Sequence, residues 1–248
     1  MSFQDHFSGH ADDYARFRPS YPDTLYAFLA KVVGAHDLAW DCATGNGQAA
    51  VGLAAHFARV VATDASASQI EHAAAHPNVE YRVAEASASG LADASVDLVT
   101  IAQALHWFDT PAFYTEVRRA LKPGGACAAW GYGLMRVAPA IDAVIDRFYH
   151  EVVGPYWPPE RAHLDAGYRT LGFPFPEIAA PAFAMEAAWP LAGLRGYLAT
   201  WSAAKRYAKT TGNAPLDVIG ADLARAWGVA DAPRRITWPL FLRVGRID

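Results

Sequence analysis

The sequence predicts an α/β fold in which helices cover both faces of a doubly wound, mostly parallel sheet. Short apolar runs alternate with segments of helical periodicity along the first half of the chain. Val96–Ala102 is almost continuously apolar, as expected for a strand that is buried on both faces. Ala43–Gly47 is a small-residue turn between an apolar run and a helical segment, an order typical of sites that bind a nucleoside cofactor.

The predicted elements of the first half alternate between strand and helix. A first helix spans Tyr21–Val33, with Ser20 as its N-cap and Gly34 at its end. Ser66 caps a later helix, and Gln69 three residues further on completes a capping box. The predicted strands are Leu38–Cys42, Arg59–Thr63, Val79–Ala84, Val96–Ala102 and Ala126–Tyr132. The helices between them include Gln48–Phe57 and a segment from Thr110 to Leu121.

The second half mixes helices, an irregular segment and two strands. The predicted helices are Ala138–Val153, Leu191–Tyr207 and Ala214–Trp227. Six prolines make residues 154–182 mostly irregular. Phe183–Trp189 alternates weakly, as in a strand. Ile236–Val244 is the last strand, in which Pro239 favours an edge position or a bulge.

Composition sets bounds on the function. The 248 residues are 53% apolar and carry a net charge of −4 without a basic stripe, so nucleic acid is not expected as a partner. Neither a membrane-spanning run nor a signal peptide is expected, which predicts a cytoplasmic protein without a membrane partner. Cys42 and Cys127 are expected to be reduced thiols in interior strands. No metal site is expected, and the protein is expected to be a monomer or a homodimer.

Acidic residues near the turn distinguish between cofactors. The turn Ala43–Gly47 lacks the third glycine of the Gly-x-Gly-x-x-Gly pattern that holds a dinucleotide pyrophosphate, and Asp41 precedes it. Asp64 lies 19 positions after Gly45, where a carboxylate accepts both hydroxyls of a ribose. The alternative is that the two aspartates only cap local turns and helices.

With these residues the sequence resembles the class I S-adenosylmethionine-dependent methyltransferases. Five motifs of that family occur in order between residues 38 and 130. They are Asp41 with Ala43, Gly45 and Gly47, then Asp64, Glu85-Ala86, Asp97-Leu98-Val99, and Leu121-Lys122-Pro123-Gly124-Gly125. Ala43 stands where the family pattern has its first glycine. The resemblance implies a Rossmann-like sheet of seven strands with an antiparallel last strand, and S-adenosylmethionine as the cofactor.

Three further segments are similar to the trans-aconitate methyltransferase-like branch of that family. They are residues 7–22, 102–109 and 238–244. This similarity implies a small organic acceptor that is methylated at a carboxyl or hydroxyl oxygen, with N- or C-methylation as the alternative. Enzymes that methylate the amino groups of nucleic-acid bases have an aromatic tetrapeptide after the fourth strand. Leu105–Phe108 stands at that place here, which argues against base methylation. Two other classes stay open: a nicotinamide-dependent oxidoreductase, and a catalytically silent protein that binds S-adenosylmethionine.

The resemblance also assigns roles to residues at the predicted sheet edge. The cofactor residues are Asp41, Ala43, Thr44, Gly45, Gly47, Asp64, Ala65, Glu85, Ala86, Gln103 and Trp107. The substrate residues are Tyr14, Arg18, Tyr21, His106, Trp107 and Trp201. The candidate catalytic residues are His106, as a general base, and Tyr14, as an aromatic contact for the sulfonium. The alternative for His106 is a hydrogen bond to a loop carbonyl or stacking near the adenosine.

The chain is expected to divide into four segments. Residues 1–36 are expected to form an N-terminal lid and a helix, and residues 37–135 the cofactor-binding core. Residues 136–182 are expected to form a helical cap insertion, and residues 183–248 to add helices and the last strands. The candidates for neutralising an acidic acceptor are Arg136, Lys205 and Arg206. The aromatic residues of the cap either line an acceptor pocket or form the core of the cap.

Overall fold

One sheet organises the computed structural model, which describes residues 19–108 and 110–247. The strands are β1 (Leu38–Cys42), β2 (Arg59–Asp64), β3 (Val79–Val83), β4 (Val96–Ala102), β5 (Leu121–Tyr132), β6 (Phe183–Trp189) and β7 (Arg234–Arg246). Their order is β3-β2-β1-β4-β5-β7-β6, with β1 to β5 paired in parallel. β7 runs antiparallel to both of its neighbours, which confirms the predicted sheet with its antiparallel last strand.

Helices pack on both faces of this sheet. The α-helices of the described residues are α1 (Asp23–Val32), α2 (Gln48–Leu53), α3 (Ala67–Glu71), α4 (Thr110–Ala120), α5 (Pro139–Arg147), α6 (Arg161–Asp165), α7 (Leu191–Ala199), α8 (Ser202–Thr211) and α9 (Gly220–Trp227). Buried side chains of α1, α2, α5, α7, α8 and α9 share one hydrophobic core with Ala39 of β1. Those of α4 and α6 share a second core with Trp40, which points to the opposite face. No α-helix in this part of the chain is long and apolar enough to cross a bilayer.

Several predicted helices differ from the observed ones at their ends. The first helix begins at Asp23 rather than at residue 21, because Pro22 is its N-cap with an extended backbone, and Ser20 is not the cap. The helix predicted over Ala138–Val153 is α5 continued by a π-helical turn over Phe148–Val152.

The helix predicted over Leu191–Tyr207 is instead two helices. It is interrupted at Trp201, whose ψ of 134° is incompatible with a helix. Trp201 is buried among aromatic residues of the cap, so tertiary packing overrides its helical spacing.

The edge position predicted for the last strand is wrong, because β7 lies between β5 and β6. Thr237 and Arg136 exchange both backbone hydrogen bonds, at 2.8 and 2.9 Å. Alternate residues of a strand direct their backbone groups to the same side, so Pro239 also faces the chain that continues from β5. Regular pairing with β5 stops at Leu240 and Tyr132. Pro239, which has no backbone N–H, therefore lies in the gap between the regular β5–β7 pairing and the Arg136–Thr237 bridge, where no N–H of β7 is required for the ladder.

Candidate functional site

The turn after β1 lies where the strand order of the sheet reverses. β1 pairs with β2 on one side and β4 on the other, and open α/β sheets bind ligands at the carboxyl end of this switch point. Gly45 and Gly47 have φ angles of 58° and 88°, a left-handed region that glycine adopts without a steric cost. The backbone N–H of Thr44 donates to the Thr63 carbonyl at 2.9 Å and ties the turn to β2. The turn therefore presents bare backbone to the crevice.

Two positions of the turn differ in how they tolerate a side chain. Ala43 has a φ of 53°, which is unfavourable for a residue with a Cβ. Gly47 packs against the ring of Tyr81, and a Cβ at this position would overlap the phenol. Tyr81 is held there by its hydroxyl, which donates to the Ala74 carbonyl at 2.7 Å. The turn therefore tolerates the side chain of Ala43 at the cost of backbone strain, whereas only glycine fits at position 47.

Asp41 is completely buried, and both of its carboxylate oxygens are used inside the protein. Oδ2 accepts a hydrogen bond from the Thr44 hydroxyl at 2.6 Å, and Oδ1 accepts one from the Thr100 hydroxyl at 2.7 Å. Burial raises the pKa of Asp41 to about 6, although the two threonine hydroxyls partly offset this shift. Asp41 therefore ties the turn to β4, and its predicted contact with a cofactor stays a prediction.

Asp64 joins the turn to the end of β2. Its Oδ2 accepts the backbone N–H of Gly45 at 2.9 Å, and its Oδ1 accepts the backbone N–H of Ser66 at 2.9 Å. A carboxylate has about four lone-pair sites, so it can bind a ribose diol while it keeps both of these bonds. This geometry is compatible with the predicted role of Asp64.

The predicted capping box is only half formed, and its glutamine lies at the turn. The Ser66 hydroxyl accepts the Gln69 backbone N–H at 3.4 Å, as predicted. The Ser66 N–H donates to Asp64, so the Gln69 side chain does not bind it. Gln69 Oε1 instead lies 3.7 Å from the position that a Cβ on Gly45 would occupy. Sequence reasoning gave Gln69 a capping role alone and missed its place beside the cofactor turn.

Other predicted cofactor residues follow the carboxyl ends of neighbouring strands. Ala65 follows β2 and is half-buried. Glu85 lies just beyond β3 with an exposed side chain, and Ala86 packs against the second core. The sheet therefore brings these residues to the same edge as Gly45.

Gln103 ends β4 in a strained conformation. Its φ is 59°, and its backbone N–H donates to the Trp130 carbonyl at 2.8 Å. Its side-chain Nε2 donates to the Tyr132 carbonyl at 3.2 Å. The side-chain amide is thus tied to β5, and the predicted role of Gln103 in binding the cofactor stays a prediction. Strained backbone held by surrounding bonds is common at binding sites.

His106 is buried in the short 3₁₀ helix Leu105–Trp107 that follows β4. Its Nδ1 lies 3.1 Å from the Tyr168 hydroxyl, and its ring centroid lies 4.5 Å from that of Trp107. Burial lowers the pKa of His106 to about 3, with repulsion by Arg161 and His163 as smaller causes. The imidazole is therefore neutral at pH 7, with little affinity for the proton that a general base would take.

The predicted substrate residues occupy separate places in the fold. Tyr21 is buried against the edge of the Trp130 ring, with centroids 5.5 Å apart. Trp107 is half-buried beside His106, whereas Trp201 lies in the aromatic core of the cap. The predicted roles of Tyr14 and Arg18, and the lid over residues 1–18, lie outside the described residues.

The cations proposed to neutralise an acceptor have partners elsewhere. Arg136 forms an exposed ion pair with Asp146 at 3.0 Å. Arg206 Nη1 donates to the Tyr156 carbonyl at 3.4 Å.

Comparison with known proteins agrees with this architecture. Residues 40–129 match the family model described as a methyltransferase domain. A Dictyostelium discoideum protein provisionally named a methyltransferase is 34% identical over 247 residues, which cover 97% of this chain and 94% of that protein.

Two solved structures are also similar to this chain. A structure from Anaeromyxobacter dehalogenans, provisionally described as a type II methyltransferase, is 49% identical with a TM-score of 0.88, and the match covers 93% of this chain and 98% of that one. The YcgJ protein of Bacillus subtilis shares the fold at 14% identity with a TM-score of 0.51, covering 91% of this chain and 99% of its own.

Proposed function

Because the chain belongs to the class I S-adenosylmethionine-dependent methyltransferases, we propose that it methylates a small organic acceptor at a carboxyl oxygen. The observation that carries the choice of atom is the burial of His106, the residue that sequence reasoning nominated as the base. A hydroxyl or a protonated amine must lose a proton before or during methyl transfer, whereas a carboxylate is already ionised at neutral pH. A site in which His106 is a poor base therefore favours a carboxylate acceptor over a hydroxyl.

The residues at the turn fit S-adenosylmethionine. Among residues 19–108 and 110–247, a Cβ on Gly45 would meet only Gln69 Oε1, at 3.7 Å, so these residues leave the Gly45 backbone open to a ligand. The Asp64 carboxylate accepts the N–H groups of Gly45 and Ser66, and a carboxylate has about four lone-pair sites, so these two bonds are compatible with binding of a ribose diol. The bound cofactor supplies an activated methyl group on a sulfonium.

The chain itself contributes binding and alignment rather than proton transfer. Asp64 and the turn hold the nucleoside end, while Trp107 and Gln103 border the crevice after β4. Most of the acceleration of an in-line displacement comes from aligning the nucleophile, the methyl carbon and the sulfur in a site that excludes water. A carboxylate that forms the new C–O bond releases no proton, so the reaction requires no base from the protein.

Calorimetry with S-adenosylhomocysteine tests the cofactor, with NAD as the rival ligand and Asp64→Ala as the control. We expect micromolar binding that Asp64→Ala abolishes. At about 100 times the dissociation constant, the ligand also stabilises the fold by roughly 2.7 kcal/mol, which a melting shift would report. Tighter binding of NAD than of S-adenosylhomocysteine would favour the alternative function, a nicotinamide-dependent oxidoreductase.

An assay with S-adenosylmethionine that carries a tritiated methyl group identifies the methylated atom. The acceptors are a panel of small carboxylic acids and the matching alcohols. Methyl esters release labelled methanol in mild base, whereas methyl ethers and methylated amines do not. Base-labile product from an acid supports the proposal, and base-stable product would contradict it. Cofactor binding without transfer to any acceptor would favour the catalytically silent alternative.

A further inference from the structure

Trp130, near the end of β5, has a buried indole N–H that finds no hydrogen-bond partner among residues 19–108 and 110–247. Trp40, Trp227 and Trp238 are as completely buried, and the indole N–H of each donates a hydrogen bond within 3.2 Å. Buried polar groups are normally paired, because an unpaired group gives up its bond to water without compensation. The N–H of Trp130 is therefore available to an oxygen of a bound molecule.

The place of Trp130 in the sheet sets it apart from the other buried and unpaired groups of the described residues. The Tyr114 hydroxyl belongs to α4 and the Trp157 indole to the segment between β5 and β6, whereas Trp130 is on a strand. Trp130 pairs with Ala102, the last residue of β4, and its carbonyl accepts the backbone N–H of Gln103 at 2.8 Å. Trp130 therefore lies at the carboxyl edge of the sheet, where open α/β sheets bind their ligands.

The distance across the sheet assigns Trp130 to the acceptor rather than to the cofactor. The cofactor turn follows β1, and β4 lies between β1 and β5. Neighbouring strands are about 4.8 Å apart, so β5 runs roughly 10 Å from β1. The acceptor has to be displaced from the turn in this way if the methyl group is to lie between them. Tyr21, a predicted substrate residue, packs against Trp130 with ring centroids 5.5 Å apart.

The chemistry of an indole N–H restricts the group that it can bind. This group is neutral, and it donates a hydrogen bond but never accepts one. A carboxylate oxygen is a suitable partner, whereas an ammonium group, which only donates, is not. A hydroxyl also accepts, but it carries a proton for which His106 is a poor base. A neutral donor withdraws less electron density from a carboxylate than a guanidinium does, so the bound carboxylate remains a nucleophile.

We propose that the indole N–H of Trp130 holds one oxygen of the carboxylate that is methylated and so orients the other oxygen towards the methyl group. The second oxygen forms the bond to the methyl carbon while the C–S bond breaks and its electron pair stays on sulfur. The Trp130 proton stays on nitrogen, and its hydrogen bond ends on the carbonyl oxygen of the ester. The inference rests on the proposed function and adds to it the residue that selects and orients the acceptor group.

Nuclear magnetic resonance of the S-adenosylhomocysteine complex, with ¹⁵N-labelled tryptophan, tests this contact directly. The chain has eight tryptophans, and the indole signal that disappears in Trp130→Phe belongs to Trp130. If that variant fails to fold, nuclear Overhauser contacts with the Tyr21 ring assign the signal in the wild type. The probes are acetate, benzoate and succinate, with benzylamine as the cation. We expect at least one acid to move the Trp130 proton to lower field and benzylamine to leave it in place.

Calorimetry and kinetics measure what the contact contributes. Trp130→Phe should bind that acid at least tenfold more weakly, because it removes a hydrogen bond to a charged group. The KM of a methylated acid should rise by the same factor, while the KM of S-adenosylmethionine stays unchanged. Trp227→Phe is the matched control, since it removes an equally buried indole N–H that donates to the Ala232 carbonyl at 3.2 Å. It should bind the acid as the wild type does, which separates the lost hydrogen bond from lost packing.

Three results would overturn the inference while S-adenosylhomocysteine still binds: no acid moves the Trp130 signal, Trp130→Phe binds the acid as the wild type does, or benzylamine moves the signal further than every acid. A wild type that does not bind S-adenosylhomocysteine, or that forms only base-stable methylated products, would instead refute the proposed function, and this inference with it.

Discussion

Asp64 accepts a hydrogen bond from the backbone N–H of Gly45 at 2.9 Å, although 19 residues separate them along the chain. The same carboxylate accepts the backbone N–H of Ser66 through its other oxygen. One side chain thus connects the end of β2 to the turn after β1 and to the N-terminus of α3. Asp64, which the sequence predicts to bind the cofactor ribose, therefore also maintains the shape of the turn.

Replacing Asp64 with asparagine should weaken S-adenosylhomocysteine binding by about 10- to 100-fold, because hydrogen bonds to a charged group contribute about 1.5–3 kcal/mol. Asparagine has a single acceptor oxygen, so Gly45 or Ser66 also loses its partner. Calorimetry measures the change. Glu80→Gln is the control, since it removes the same charge from an exposed carboxylate that pairs with Arg82 at 2.7 Å. Asp64→Asn with wild-type affinity would contradict this role.

Replacing Ala43 with glycine should stabilise the fold by about 0.5–1 kcal/mol, because alanine at a φ of 53° is strained. Urea unfolding measures the change. Ala94→Gly should give a similar gain away from the turn, since Ala94 has a φ of 47°. Ala39→Gly, in the buried strand β1, should instead lower the free energy of unfolding. A loss of stability in Ala43→Gly would show that this turn is not strained there.

The stability of Asp41→Asn relative to the wild type should rise with pH. Burial raises the pKa of Asp41 to about 6 from 3.8, so the folded state binds this proton more tightly than the unfolded chain. That contribution to stability is present in full below about pH 4 and is lost as the pH rises through 6. The shift corresponds to about 3 kcal/mol, at about 1.4 kcal/mol for each pKa unit.

Urea unfolding of both proteins between pH 4 and pH 7.5 tests this prediction. Glu116→Gln should show the opposite trend, because hydrogen bonds from Arg119 lower the pKa of Glu116 to about 2. A difference between Asp41→Asn and the wild type that does not vary with pH would mean that Asp41 has an ordinary pKa.

Replacing His106 with glutamine should lower the rate of methyl transfer by less than tenfold and leave the pH profile of kcat between 5 and 9 unchanged. With a pKa of about 3, the folded imidazole is already neutral across this range. Glutamine keeps an acceptor for the Tyr168 hydroxyl. An inflection near pH 6–7 that disappears in the variant would restore His106 as a general base. His72→Gln, on an exposed helix end, is the control.

Features that depend on neighbours in the chain were predictable. The observed bounds of β1 and β4 are the predicted ones, because strands that are buried on both faces consist mostly of apolar residues. The turn was predictable because glycine at Gly45 and Gly47 reflects the local backbone conformation. The parallel order of the sheet follows from the alternation of strands and helices.

Features that depend on distant residues were decided by the tertiary structure alone. Asp41 connects the turn to β4 because Thr100, 59 residues away in the sequence, donates a hydrogen bond to its buried carboxylate. His106 is neutral because packing against Tyr168 excludes solvent from its ring. Burial and pKa depend on which surfaces meet in the folded chain, whereas a turn or a strand is encoded in consecutive residues.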